Sequence, residues 1–514
     1  MAEHAQRKKP SLGVVIGGLL LGLLMASMDN TIVATAMGTI VGEMGGLDKF
    51  VWVTSAYMVA EMAGMPIFGK LSDMYGRKRF FVFGIIVFMI GSALCGMAES
   101  IVQLSVYRAI QGIGAGAMVP VAFTIMFDIV QPKDRGKLGG LFGAVFGLSS
   151  VFGPLLGAYI TDYVSWEWIF YINLPLGILA FALIAFFYKE SAMHAKQKID
   201  WGGAVTLVGA IVCLMFALEL GGKEYAWGSA QIVGLFAAFA ALAAVFVFAE
   251  RKAQEPIISF GMFAKRLYAS SNVIAVLSGA AFIVASVYIP IYIQGVMGGK
   301  ATNSGLILLP MMVGSVVTAS LGGAFLAKFA YRTIMLPTLA LLVVGMGLLA
   351  TLTPETSRVW ITIYMVLVGL GIGASFSVLS TAAIQSFPAS QRGAASATLN
   401  FLRSLGMTLG ITVYGIIQSH AMTNRLTEAF AGSGQGGPPP GISLEDPREM
   451  LAPEARAMIP ADILETIARA LSESIVLTFL LALIPAALAF AAALAMGREK
   501  LDPTQQDGEF AGGH

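Results

Sequence analysis

The sequence predicts an all-α integral membrane protein of fourteen transmembrane helices, arranged as two six-helix bundles with two further helices inserted between them. Three observations lead there. Only 12% of the 514 residues are charged and 57% are hydrophobic, whereas a soluble chain carries about 25% charged residues, so lipid is the solvent for most of this one. Apolar runs such as GVVIGGLLLGLLMAS and SIVLTFLLALIPAALAFAAALAM recur, and a helix that crosses a bilayer needs roughly 20 such residues. Finally, the chain repeats itself weakly. RAIQGIGAGAMVP has a counterpart in LVGLGIGASFSV, and RGKLGGLFGAVFGLSSVFG has one in RGAASATLNFLRSLGMTLG.

Polar breaks between the apolar runs place the spans in order near 13–36, 50–69, 80–98, 102–126, 138–160, 168–188, 202–220, 230–249, 272–295, 303–326, 333–353, 359–383, 394–417 and 470–496. The first follows RKKP, as a signal peptide would. It runs too long, however, includes Asp29 and has no small-x-small exit, so it reads as an uncleaved span that starts on the cytoplasmic side. Charge tests the count independently. Most of the 32 lysines and arginines fall on the side of the N-terminal tail. The other side carries Lys49, Lys223, Lys300 and Arg358 in its short loops and four more in one long loop. That bias is what the positive-inside rule requires, and a miscounted span would scramble it. An even number of spans returns the C-terminus to the cytoplasm.

The repeat matches span 4 with span 12, an interval of eight where two equal six-span halves need six. Spans 7 and 8 are therefore an insertion. The expected organisation is a cytoplasmic tail over 1–12, a bundle over 13–188 and an inserted hairpin with its flanking cytoplasmic loops over 189–271. A second bundle over 272–496 includes a long outer loop, 418–469, and a cytoplasmic tail over 497–514 follows. Within that loop GSGQGGPPPG reads as a flexible linker, and PREMLAPEARAMIPADILETIARAL as a short amphipathic helix with acids in excess. It is either a solvated cap or spacer or an element that admits substrate. The tail PTQQDGEFAGGH reads as disordered.

Several functions are excluded. A net charge of +2 with no basic block gives nucleic acid nothing to bind. Cys95 and Cys213 lie in apolar runs as small hydrophobes, and His4, His194, His420 and His514 are scattered without ligand spacing, so no metal site is expected. A membrane enzyme or sensor would need a nucleophile, a metal cluster or a soluble domain. There is no GxSxG elbow, HExxH or phosphate loop, so no cofactor and no ATP are expected.

What remains is a small set of polar residues inside apolar helices, where an unpartnered charge costs several kcal/mol. Asp29 lies about 10 Å below the outer end of span 1, Arg108 roughly 9 Å into span 4 and Glu61 roughly 16 Å into span 2. Asp29 and Glu61 could thus face one cavity. A proton and a cationic guest would compete there for one acid, with Arg108 as a neighbour that cannot deprotonate. The plainer readings are a packing role for Asp29 and a helix-pinning role for Arg108. Arg403 in span 13 either bonds backbone or shapes the second bundle's cavity, while Glu219 and Glu473 lie near span ends and can snorkel. After span 2, GKLSDMYGRKR supplies Gly69 and Gly76 for close approach and a turn, Asp73 near a helix end, and Arg77, Lys78 and Arg79 as donors or topology anchors. Asp128, with Lys133 and Arg135, belongs to the same cytoplasmic charge cluster. The 32 Phe and 27 Met suit an adaptable cavity, but membrane cores are rich in them anyway.

GKLSDMYGRKR resembles the loop signature of the major facilitator superfamily. YRAIQGIGAGAMVP, with Arg108, Gln111, Gly112, Gly114, Gly116 and Pro120, resembles the arginine-bearing helix of that superfamily's drug:proton antiporters. GLSSVFGPLLGAY is similar to the antiporter signature at Gly153, Pro154 and Gly157, with Ala158 in place of a second glycine. MDNTIVATA resembles the first-helix motif of the fourteen-span subgroup, though Met37 and Gly38 replace its usual Leu-Pro ending, and WEWIFYINLPLG resembles its span-6 entrance. The likeness covers residues 10–417 and the last span but not the outer loop.

The resemblance implies the major facilitator fold and a proton-coupled antiporter that exports lipophilic, cationic drugs by alternating access. It implies proton coupling by Arg108, a seam between the halves at Gly153, Pro154 and Gly157, and a cytoplasmic latch at Asp73 and Arg77. One acid and no carbonyl cage favour H+ over Na+ as the coupling ion. The expected partners are a lipophilic small molecule and membrane lipids, with a monomer in the cell membrane. A dedicated exporter of one native metabolite, lipid, siderophore or antibiotic would have the same fold.

Overall fold

Wherever the sequence breaks an apolar run, the chain turns and starts another helix. The computed structural model describes residues 12–44, 51–130, 135–190, 200–222, 224–253, 255–298, 301–326, 328–432 and 460–500, and no strand occurs among them. Five helices come first: α1 (Leu12–Met44), α2 (Val51–Tyr75), α3 (Arg77–Cys95), α4 (Ile101–Ile129) and α5 (Arg135–Tyr163). The sixth span, Trp168–Phe187, is broken at Ile172 into α6 (Trp168–Tyr171) and α7 (Asn173–Phe187). The inserted pair is α8 (Trp201–Leu220) and α9 (Ala230–Lys252), followed by α10 (Arg266–Gly295), α11 (Ala301–Phe325), α12 (Tyr331–Leu349) and α13 (Arg358–Gln385). The last two are α14 (Arg392–Gly432) and α15 (Ala461–Ala495).

Eleven of these segments are long and apolar enough to cross a membrane by length and composition. The other three expected spans correspond to α2, α5 and α14. Charge lowers the hydropathy of two of them, since α2 carries Glu61, Lys70 and Asp73 and α14 carries Arg392, Arg403, His420 and Arg425.

Two expected boundaries change. α1 continues through Met37 and Gly38 to Met44, so the departure from the usual motif there does not end the helix. The expected loop 418–469 begins as the end of α14, up to Gly432, whereas the described part of its expected amphipathic helix, from Ala461, runs on as the start of α15 and the earlier part, 447–459, lies outside the described residues. Polar contacts hold α14 and α15 together: the Gln418 amide donates to Ser474 Oγ at 3.1 Å, and Arg425 pairs with Glu473. Hydropathy reports membrane depth, and this stretch of helix is too polar for it to register. The Gly/Pro linker of that loop and the C-terminal tail from 501 lie outside the described residues.

The internal repeat has a structural cause. In α4, Gly112 and Gly116 lie against the Tyr57 and Glu61 backbone of α2, so close that a Cβ would strike the carbonyl oxygens. In α13, Gly369 and Gly373 lie in the same way against Met311 and Ser315 of α11. Gly114 and Gly371, between them, face α3 at Phe88 and α12 at Leu342. Each half thus seats one glycine-striped helix between two neighbours, the packing that lipid favours because apolar side chains gain nothing by leaving it.

The contacts divide the described residues into two units. The first takes those up to Ala269 together with Leu379–Phe401, and the second takes Ser270–Val378 and Leu402–Lys500. The inserted helices α8 and α9 belong to the first, with Trp52 of α2 edge-on to Phe216 of α8 at 4.7 Å. The core of the first unit includes Leu19, Leu23, Phe81, Phe88, Met118 and Ile125.

Candidate functional site

Asp29 sits on the face of α1 that meets α4 and α7, and its side chain is wholly buried. Arg108, about two turns into α4 and equally buried, forms an ion pair with Asp29 through Nη1 and Oδ2. Gln111, one turn further along the same face, donates from Nε2 to Asp29 Oδ1 at 2.8 Å and accepts from Arg108 Nη1 at 2.7 Å. Asn173, the first residue of α7, donates from Nδ2 to Asp29 Oδ1 at 2.9 Å. Ser92 of α3 closes the ring. It accepts from Gln111 at 3.2 Å and from Asn173 at 3.0 Å, and donates to the Phe170 carbonyl at 2.8 Å.

The rest of the Arg108 fork is also occupied. Nε donates to the Val53 carbonyl at 3.3 Å, Nη2 donates to Asn30 Oδ1 at 3.2 Å, and the guanidinium lies 4.2 Å from the centre of the Tyr57 ring. Tyr57 is held in turn by its hydroxyl, which donates to the Ala26 carbonyl at 3.3 Å. Asp29 therefore accepts only from donors, the arrangement that suits an ionised carboxylate. Arg108 keeps the fork that a lysine could not reproduce.

Of the three expected coupling residues, two are joined directly. Glu61 is half-buried, and its side chain makes no hydrogen bond or ion pair among the described residues. Its backbone, pressed by Gly116, fixes where it stands on α2. Gln111, a secondary expectation, proves central. Glu219 lies half-buried on α8 and is not bonded to Asp29. Arg403 belongs to the second unit, where Nη2 donates to the Ser375 carbonyl at 3.1 Å and the guanidinium lies 4.9 Å from the Phe376 ring. Asn173, Ser92 and Tyr57 join the site without having been expected from the sequence. Asn173 lies inside the quoted WEWIFYINLPLG, and an amide in so apolar a run is the signal that would have marked it.

Gly153 and Gly157 of α5 lie against α1, where a Cβ would meet Thr31 Oγ1 at the first and Thr35 Oγ1 and Ile32 at the second. Pro154 lies between them on α5, inside the helix. Thr31 donates to the carbonyls of Ser149 at 3.0 Å and Met28 at 2.8 Å. The expected hinge glycines thus pack on α1, the helix that carries Asp29, inside the first unit. Ala158 is exposed, on another face, so the missing second glycine leaves this contact intact.

At the far end of α2, Gly69 abuts Gly393 and Ala397 at the start of α14, and Gly76 turns the chain into α3 with φ 110°, which favours glycine. Asp73 accepts from the backbone amides of Gly393 at 2.8 Å and Ala394 at 2.9 Å, the first turn of α14, where a helix favours negative charge. Arg77 donates to Asp73 at 3.3 Å and to the Ala389 carbonyl at 2.6 Å, and pairs with Asp128, which also receives Arg392 at 3.3 Å. Lys78 turns elsewhere, capping α7 at the carbonyls of Ala185 and Tyr188, both at 2.7 Å. Among the described residues no cluster of three His, Cys, Asp or Glu could hold a metal ion.

A fourteen-helix multi-pass membrane protein with repeated halves and a buried acid–base pair inside one of them is a transporter rather than an enzyme. The model of the Major Facilitator Superfamily matches residues 19–411, and the chain belongs to that family. It is similar to Multidrug resistance protein 3 of Bacillus subtilis (strain 168), at 55% identity over 97% of this chain and 98% of that one. The Multidrug transporter protein MdtP of the same organism is 37% identical over 83% of this chain and 79% of its own length. Among solved structures, the human organic anion transporter MFSD10 matches with a TM-score of 0.59 at 15% identity, covering 93% of this chain and 100% of that one. The proton:xylose symporter XylE matches at 0.56 and 13%, covering 92% and 94%. At such identities these two show the shared fold alone.

Proposed function

We propose that the chain is a proton-coupled multidrug antiporter that exports lipophilic, cationic compounds across the cytoplasmic membrane by alternating access, as a monomer with both termini in the cytoplasm. The observation that supports it best is the buried Asp29–Arg108 pair. A carboxylate and a guanidinium held out of water are costly, and removing either charge leaves the other uncompensated. A proton arriving at Asp29 neutralises it and frees Arg108. A cationic guest displacing Arg108 keeps the acid ionised. Proton and guest therefore exclude one another, which is the requirement for exchange. Loading the proton from outside expels the drug, and losing it inside readmits one.

The two glycines on α5 would let α1 shift with the change, and the Asp73–Arg77–Asp128 cluster would hold the cytoplasmic ends of α2 and α14 together in one state and release them in the other. The relatives named for multidrug resistance and multidrug transport support the substrate class.

Reconstitution into liposomes with an imposed pH gradient tests this directly. Several unrelated lipophilic cations should move against the gradient, compete with one another and stop when a protonophore is added. Movement that follows a sodium gradient instead would overturn proton coupling, and transport of a single compound with no competition would overturn the multidrug reading.

A further inference from the structure

Every hydrogen bond that Asp29 accepts comes from a donor, and a protonated Asp29 would need the opposite. Its new O–H requires an acceptor, since a buried donor left without one is destabilising. Three side chains are bonded to Asp29, and they differ in what they can offer. Arg108 has no acceptor. Gln111 Oε1 is already taken by Arg108 Nη1 at 2.7 Å and by the Cys95 thiol at 3.8 Å. Ser92, behind them, is filled, with its hydroxyl given to Phe170 and its lone pairs given to Gln111 and Asn173. Asn173 Oδ1 is different: it is buried and has no hydrogen-bond partner among the described residues.

We infer that Asn173 is the positioning residue that serves Asp29 in both protonation states, by turning its amide. With Asp29 ionised, Nδ2 donates to it and Oδ1 is idle. A half-turn about the terminal torsion exchanges the two atoms, so that Oδ1 stands where Nδ2 stood, 2.9 Å from the carboxyl, and accepts the acid proton. The half-turn also forfeits the 3.0 Å bond that Nδ2 donates to Ser92 Oγ, so the amide keeps its donating orientation while Asp29 is ionised, and the bond to the acid proton must offset that loss when Asp29 is neutral. The protonation state of Asp29 decides which orientation holds.

The inference rests on the proposed use of Asp29 as proton carrier. The titratable groups that face Asp29 are Arg108 on α4, Tyr57 and Glu61 on α2 and Cys95 on α3, while α5 and α7 meet this part of α1 through Ser149 and Asn173.

Infrared difference spectroscopy of the full-length protein between high and low pH tests it, because the C=O stretch of a carboxylic acid rises in frequency as its hydrogen bonds are lost. The wild-type spectrum should contain a carboxylic acid band that is absent in Asp29→Asn. In Asn173→Leu that band should move to higher frequency. Asn173→Ala should do the same and is the variant to read if the leucine prevents folding. A band that stays in place in the folded Asn173 variants overturns the positioning role but leaves Asp29 as the proton carrier. No Asp29-dependent band in the wild type overturns the proton-carrier reading and the inference with it.

Discussion

Asp29 and Arg108, 79 residues apart in sequence, form an ion pair in which neither side chain has any exposure. α1 and α4 are thereby joined by a charge interaction that bulk solvent does not reach. The pair is expensive to form but much more expensive to halve. Any transport cycle through this site must therefore supply Arg108 with a substitute whenever Asp29 is neutralised, and Asn30, the Val53 carbonyl and the Tyr57 ring are already in place to provide part of it.

Halving the pair should show in stability. Arg108→Met leaves a buried carboxylate and is expected to cost about 3–5 kcal/mol. The double variant Asp29→Asn, Arg108→Met should recover part of that loss. Denaturant unfolding in detergent checks it, and a double variant no more stable than Arg108→Met would mean that the pair is not the source of the loss.

The glycine stripes should respond alike in both halves. Gly112→Ala and Gly369→Ala each place a Cβ against a carbonyl oxygen of the neighbouring helix, and each should cost about 1–3 kcal/mol. Gly13→Ala and Gly17→Ala meet nothing within 4 Å and should be neutral or stabilising by up to about 1 kcal/mol. Melting temperatures of the four variants, compared in one detergent, decide it.

Asp73 satisfies two backbone amides at the start of α14. Asp73→Ala removes bonds to a charged group worth about 1.5–3 kcal/mol each, so the proposed latch should open at least about tenfold more often. A cysteine placed at Ala394, a buried position, should then react faster with a membrane-impermeant maleimide. Unchanged labelling would place the latch elsewhere.

The ion pair of Arg469 with Glu465 lies on an exposed face of α15. Glu465→Gln should change stability by less than about 0.5 kcal/mol, and unfolding midpoints of the two proteins should coincide.

How much of this was legible beforehand depended on what each residue contrasts with. Asp29 and Arg108 stand out as charges in apolar runs, and hydropathy fixed their depths, so their meeting followed once α1 and α4 were neighbours. Helix faces were another matter. A helix in lipid is apolar all round, so its sequence does not say which side meets protein, and Glu61, at a suitable depth, proved to lie outside the bonded network. Asn173 is neutral and small enough to pass as part of an entrance motif, yet it bonds Asp29 as directly as Gln111 does. The glycines of the repeat were visible as a pattern, but their purpose needed the neighbouring carbonyls. The end of α14 lies beyond the apolar run because a helix that becomes polar loses its hydropathy while keeping its hydrogen bonds.

The proton carrier is tested most directly by following proton release from purified, detergent-solubilised protein as a lipophilic cation is added. The wild type and Glu61→Gln should release protons, and Asp29→Asn should release none while still unfolding cooperatively. Undiminished release from Asp29→Asn would contradict the assignment of the coupling acid to Asp29.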